Sequence, residues 1–74
     1  MAYDYRKLLG RITELYGTQA KFSEAMGLSE RSLSLKLNGK VAFKQPEITK
    51  ACSLLEICEN EIPTYFFTLK VQNY

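Results

Sequence analysis

Histidine is absent from this chain, and cysteine occurs only twice, at Cys52 and Cys58. Without histidine the ordinary Cys/His zinc sites cannot be assembled, and two thiols are too few for a disulfide scaffold. Both cysteines read as small hydrophobes in a reducing compartment. Long apolar runs are missing as well. The longest are a few residues, which argues against a secretory signal or a membrane-spanning helix and for a cytoplasmic protein. There is no glycine-rich phosphate loop and no paired-carboxylate cluster in an evident cleft, and the chain is too short to enclose one. An enzyme is therefore not expected, nor is a metal or other cofactor.

The residues that are present suit a small folded domain. Seventy-four residues, 46% of them apolar, are enough for one core and are read as a single domain over 1–74. The net charge of +2 is unevenly spread. Residues 1–44 carry eight basic side chains against four acids, whereas residues 45–74 carry two against four. A basic half beside an acidic half fits either a phosphate-facing side with a partner-facing side, or ordinary surface scatter.

Residues 18–39 hold the main motif. Thr18 can cap a helix in which Phe22, Ala25 and Met26 form a buried stripe, with small Ala20 easing a close helix crossing. Gly27 suits the left-handed exit from that helix, and Leu28 can plug the turn. Ser29 can cap a second helix that buries Leu33 and Leu37 and stops at Asn38-Gly39. Two short helices and a tight turn make a helix-turn-helix, a common device for entering the DNA major groove. On the second helix Arg31, Ser34, Leu35 and Asn38 face away from the Leu33–Leu37 stripe, with Glu30 and Ser32 on its flanks. Leu35 is either a lone exposed apolar residue or a contact for a thymine methyl group.

The remaining segments predict a platform. Asp4 can cap a first helix with Tyr5, Leu8, Leu9, Ile12, Leu15 and Tyr16 at helical spacing, ended by Gly17. Val41 and Phe43 would pin the following linker to the core while Lys40 and Lys44 point outward. Pro46 and Glu47 suit the first turn of a fourth helix with Ile48, Ala51, Cys52 and Leu55 inward. Asn60 can cap a short fifth helix that tolerates Pro63 in its first turn. The segment YFFTLKVQNY has strand character, and a lone strand needs a partner: the helices, a second copy or another protein. Phe66 and Phe67 read as core; Leu69, Val71 and Tyr74 read as interface, with 68–74 a dimer or partner contact.

The segment Gln19–Gln45, with Gln19, Ala20, Gly27, Leu33 and Asn38-Gly39 at their spacing, resembles the DNA-binding domain of the lambdoid phage repressor and Cro family. The whole chain resembles the short Cro-like regulators of phages and prophages of Gram-positive bacteria. That resemblance implies an all-α, five-helix, lambda-repressor-like domain in the bacterial host cytoplasm, bound to operator DNA as a dimer on a two-fold site. It assigns base reading to Glu30 and Arg31, the latter able to fork onto guanine, with Ser32, Ser34 and Leu35 as neighbours. It assigns phosphate contacts to Gln19, Asn38, Lys40 and Lys44, with Phe43 an anchor whose backbone N–H can join them. Two positions depart from the family: Glu30 replaces a common amide, and Lys36 stands where an apolar residue is frequent. The expectation is a Cro-like repressor that reads an operator. The alternative, carried by the acidic half and the aromatic tail, is an interaction module that binds a partner repressor.

Overall fold

The computed structural model describes residues 3–70 and is built of helices: α1 (Arg6–Tyr16), α2 (Gln19–Met26), α3 (Glu30–Leu37), α4 (Gln45–Leu54) and α5 (Ile62–Phe66). A single 3₁₀ turn, Glu59–Glu61, leads into α5. Five helices and no named strand among the described residues match the expected all-α class. Val71 and Tyr74, read as interface residues, lie outside the described residues.

The helix boundaries have local causes. The Thr18 hydroxyl accepts from the Lys21 N–H (3.2 Å), and Ser29 Oγ accepts from the Ser32 N–H (3.1 Å), so both motif helices are capped as expected. At the end of α2, Gly27 takes φ 76° and ψ 24° while Leu28 N–H returns to the Ser23 carbonyl (2.9 Å). That closure needs a left-handed residue, which Gly supplies without a Cβ penalty. Gly39 closes α3 in the same way, with Lys40 N–H bonded to the Leu35 carbonyl (2.9 Å). The end of α4 uses no glycine: Glu56 adopts φ 55°, and Ile57 turns back to donate to the Cys52 carbonyl (2.9 Å).

The core is one cluster drawn from every helix. Phe22, Phe66, Leu8, Ile12, Leu33 and Leu55 are its largest fully buried side chains. α2 packs against α1, α3 and α4, and α5 packs against α1. The Cα radius of gyration is 11.8 Å, near the roughly 11 Å of a tightly folded chain this long.

Several local expectations are corrected. The N-cap position of α1 is Tyr5 rather than Asp4, because the buried Tyr5 ring sets where the helix begins. Asp4 still serves the helix, accepting from the Arg6 N–H (3.0 Å). Leu15 stays 40% exposed, since Tyr16 takes the inward place and packs edge-on against Phe22 at 5.2 Å. Ala20 is exposed, and the small residue buried on α2 is Ser23, whose hydroxyl donates to the Ala20 carbonyl (2.7 Å). Asn60 lies inside the 3₁₀ turn, where the Glu61 carboxylate accepts from Cys58 N–H instead. Cys52 is buried and burial raises its thiol pKa, but Cys58 is exposed on the approach to α5 and is no core hydrophobe.

Candidate functional site

Two surfaces concentrate the candidate residues. On α3, Glu30 and Arg31 stand exposed on the first turn, and Ser32, Ser34 and Leu35 are half-buried. Ser32 Oγ is occupied by the Ser29 hydroxyl, which donates to it at 2.9 Å. Asn38 Nδ2 folds back onto the Ser34 carbonyl (2.9 Å) and hydroxyl (3.3 Å). Two of the polar groups on this face are thus satisfied within the helix. Gln19 is half-buried at the start of α2, and Lys40 and Lys44 are exposed beyond α3. Phe43 points inward: its ring meets Tyr5 and Phe66 edge-on, both at 5.4 Å. The aromatic ring is therefore a core anchor for the linker.

The second surface is where the two chain ends meet. Tyr3 forms an antiparallel bridge with Leu69, and Asp4 N–H donates to the Thr68 carbonyl (2.7 Å). Tyr3 packs edge-on against Phe67 at 5.7 Å. Beside this pairing opens a cleft of about 220 Å³, walled by Tyr3, Val41, Phe43, Ile48 and Phe67 and floored by Phe66. Its exposed lining is apolar, with Tyr3 39%, Val41 45% and Phe67 47% exposed, and Leu69, the partner of Tyr3, is 50% exposed. Phe67 and Val41 are thus corrected from core to surface, because Phe66 and Phe43 take the inward positions next to them. Leu69 is on the surface, where interface character was expected of it.

Sequence reasoning missed Tyr3 entirely. Its pairing with Leu69 joins residues 66 positions apart, and no local pattern reports such a contact. It also missed the pairing of Lys36. Lys36 Nζ, its side chain only 6% exposed, donates to Glu47 Oε1 at 2.7 Å. Burial acts to raise the Glu47 pKa. The hydrogen bonds from Lys36 and the Lys44 N–H, with the charges of both lysines, outweigh it and hold the carboxyl below its usual range. The departure at Lys36 could have signalled this, since a lysine at an apolar position needs a carboxylate to neutralise it.

Asp4 is the strongest perturbed acid at the site. Its bonds to the Arg6 guanidinium and backbone N–H, with the charges of Arg6 and Lys70, hold its carboxyl at about 2. A depressed carboxylate stabilises the fold above its unfolded pKa, near 3.8, and that contribution disappears as pH falls through about 2. Carboxyl-detected NMR titration is expected to place Asp4 well below the other acids. In Asp4→Asn the Tyr3–Leu69 pairing should become insensitive to pH between 4 and 2.

With these surfaces described, the relatives of the chain can be set beside them. A family model described as a protein of unknown function, DUF739, matches residues 1–69. The chain belongs to the DUF739 family. No curated protein matches it significantly. Among solved structures, this DUF739 chain is similar to the solution structure of the modulator of repression (MOR) of the temperate bacteriophage TP901-1 from Lactococcus lactis. The two share 58% identity over 97% of each chain, with a TM-score of 0.81.

These findings correct the expected membership of the lambdoid repressor and Cro family, and with it the reading as an operator-reading Cro-like repressor. The physical reason lies in what the motif residues do. Thr18 and Ser29 cap, Gly27 turns, Leu33 fills the core and Gly39 stops the second helix, tasks that any helix–turn–helix frame imposes whatever it binds. They specify the frame and leave the ligand open. The relative with the same frame is a modulator of repression.

Proposed function

We propose that this DUF739 chain modulates repression in a phage or prophage by binding a partner repressor protein in the cytoplasm of the bacterial host. It works by binding alone, without catalysis or a cofactor. The observation that carries this reading is the 58% identity, over 97% of both chains, to the modulator of repression of phage TP901-1. The exposed apolar cluster of Tyr3, Val41, Phe67 and Leu69 supports it, since such a patch on a small domain is characteristic of protein contacts.

The test is calorimetric titration of the chain into the purified repressor of phage TP901-1, run beside mobility-shift assays on that phage's operator DNA. The expected result is saturable binding to the repressor and altered repressor occupancy of the operator, with no sequence-selective shift by the chain alone. Selective operator binding without affinity for the repressor would overturn the reading.

A further inference from the structure

The cleft at the chain ends carries more than apolar exposure. Asp4 N–H bonds to the Thr68 carbonyl, one position beyond Tyr3 and one before Leu69. That register makes Tyr3 and Leu69 a non-hydrogen-bonded antiparallel pair, whose own N–H and C=O groups point away from each other. Among the described residues no backbone hydrogen bond uses those of Leu69. Among the described residues Leu69 therefore presents an unpaired strand edge, the feature to which an extended segment adds. The edge lies next to exposed Phe67 and the cleft beside it, where alternate side chains of an added strand can seat.

Charge indicates what that segment contains. Lys40 and Lys44 flank the Val41–Phe43 wall in sequence, Lys70 follows Leu69, and all three are exposed. None of them enters an ion pair among the described residues. Asp4 and Glu47, which adjoin the lining residues Tyr3 and Ile48 in sequence, are already paired, Asp4 to Arg6 (2.7 Å) and Glu47 to Lys36 (2.7 Å). Three exposed lysines thus neighbour, in sequence, the residues that border an apolar trough.

Resting on the reading of this chain as a repressor-binding modulator, we propose that the cleft and the Leu69 edge receive an extended acidic segment of the partner protein. One apolar side chain of that segment enters between Val41 and Phe67. Its backbone pairs with Leu69, and its carboxylates face Lys40, Lys44 and Lys70. Complementary charge of this kind makes association salt-dependent and selects against basic segments.

The experiment measures calorimetric affinity of the full chain for the TP901-1 repressor at low and high salt. Phe67→Ser and Lys44→Glu are expected to weaken binding tenfold or more. Lys50→Glu, which changes net charge equally but lies against the Gly27 turn, is expected to change it less than threefold. Circular dichroism confirms that each exposed-site variant is folded. Equal loss in Lys50→Glu and Lys44→Glu, or unchanged binding in Phe67→Ser, overturns the proposal while leaving repressor binding intact. If the wild-type chain does not bind this repressor, the partner reading fails for it, and peptides decide the cleft. An acetylated eight-residue peptide alternating Glu with Leu and Phe should then shift the amides of Val41, Phe67 and Leu69 in ¹⁵N spectra, whereas its Lys-substituted counterpart should not. Absence of those shifts, or self-association of the chain abolished by Phe67→Ser, overturns it.

Discussion

Phe66→Ala is expected to cost about 3–5 kcal/mol, the usual loss when a fully buried phenylalanine leaves a cavity. The site is 1% exposed and has no room to collapse, because the Phe66 ring meets Phe43 edge-on at 5.4 Å and 90°. Phe43 in turn meets Tyr5 at 5.4 Å, so one truncation removes the end of a three-ring stack. A chain of 74 residues holds roughly 4–11 kcal/mol of total stability, and the variant is expected to lose a large share of it. Urea melts followed by circular dichroism measure this directly. Phe67→Ala is the contrast, since that ring is 47% exposed and its loss is expected to cost under about 1 kcal/mol. Equal losses at the two positions would refute the division of the phenylalanine pair into a core ring and a surface ring. The division matters for function because Phe66 floors the cleft that Phe67 borders.

That pair also shows where the sequence is legible. The helices, their caps at Thr18 and Ser29, and the turn at Gly27 follow from local chemistry, and local chemistry is what a single chain displays. Which of two adjacent phenylalanines turns inward depends on where α5 stops, and α5 ends at Phe66 itself. The run YFFTLKVQNY reads as strand because its residues favour extended backbone. Packing of Phe66 against α1 and the linker overrides that preference for its first residues. Ile57 escaped notice for a related reason. It lies beyond the last turn of α4 and is buried only because Glu56 adopts a left-handed conformation that local pattern assigns to glycine. The polar face of α3 was legible as exposed side chains, but side chains on a helix do not declare their ligand. Overall similarity along the chain redirected the reading, from an operator-reading Cro-like repressor toward a modulator of repression.

The second large effect concerns the buried ion pair between α3 and α4. Glu47→Ala leaves Lys36 Nζ with only the Ala42 carbonyl, at 3.5 Å, in a side chain that is 6% exposed. Stranding one member of a buried pair costs about 3 kcal/mol, the low end of its range because Glu47 keeps 17% of its side-chain surface in water. The same substitution removes the carboxylate that accepts from the Lys44 N–H (2.8 Å) at the start of α4, a cap worth about 1 kcal/mol. The expected fall in Tm is roughly 15–30 °C for a domain of this size. Because the Glu47 pKa is depressed, the pair stabilises the fold above the unfolded value near 4.5, and its contribution is lost as pH falls below that. The gap in stability between wild type and Glu47→Ala should accordingly narrow on acidification. Lys36→Met strands the other partner, but the Glu47 carboxylate keeps the Lys44 N–H and 17% of its side-chain surface in water, so it is expected to cost less than Glu47→Ala. A Tm loss in Lys36→Met as large as in Glu47→Ala would show that the stranded carboxylate costs as much as the stranded ammonium, despite its exposure to water. The pair has a further consequence, because it straddles residues 38–44, the segment that supplies the Val41 and Phe43 wall of the cleft. Without the ammonium to hold the Ala42 carbonyl and Glu47 together, Lys36→Met should exchange the amides of Val41 to Phe43 faster. In this chain the lysine at an apolar position is a brace for the cleft wall.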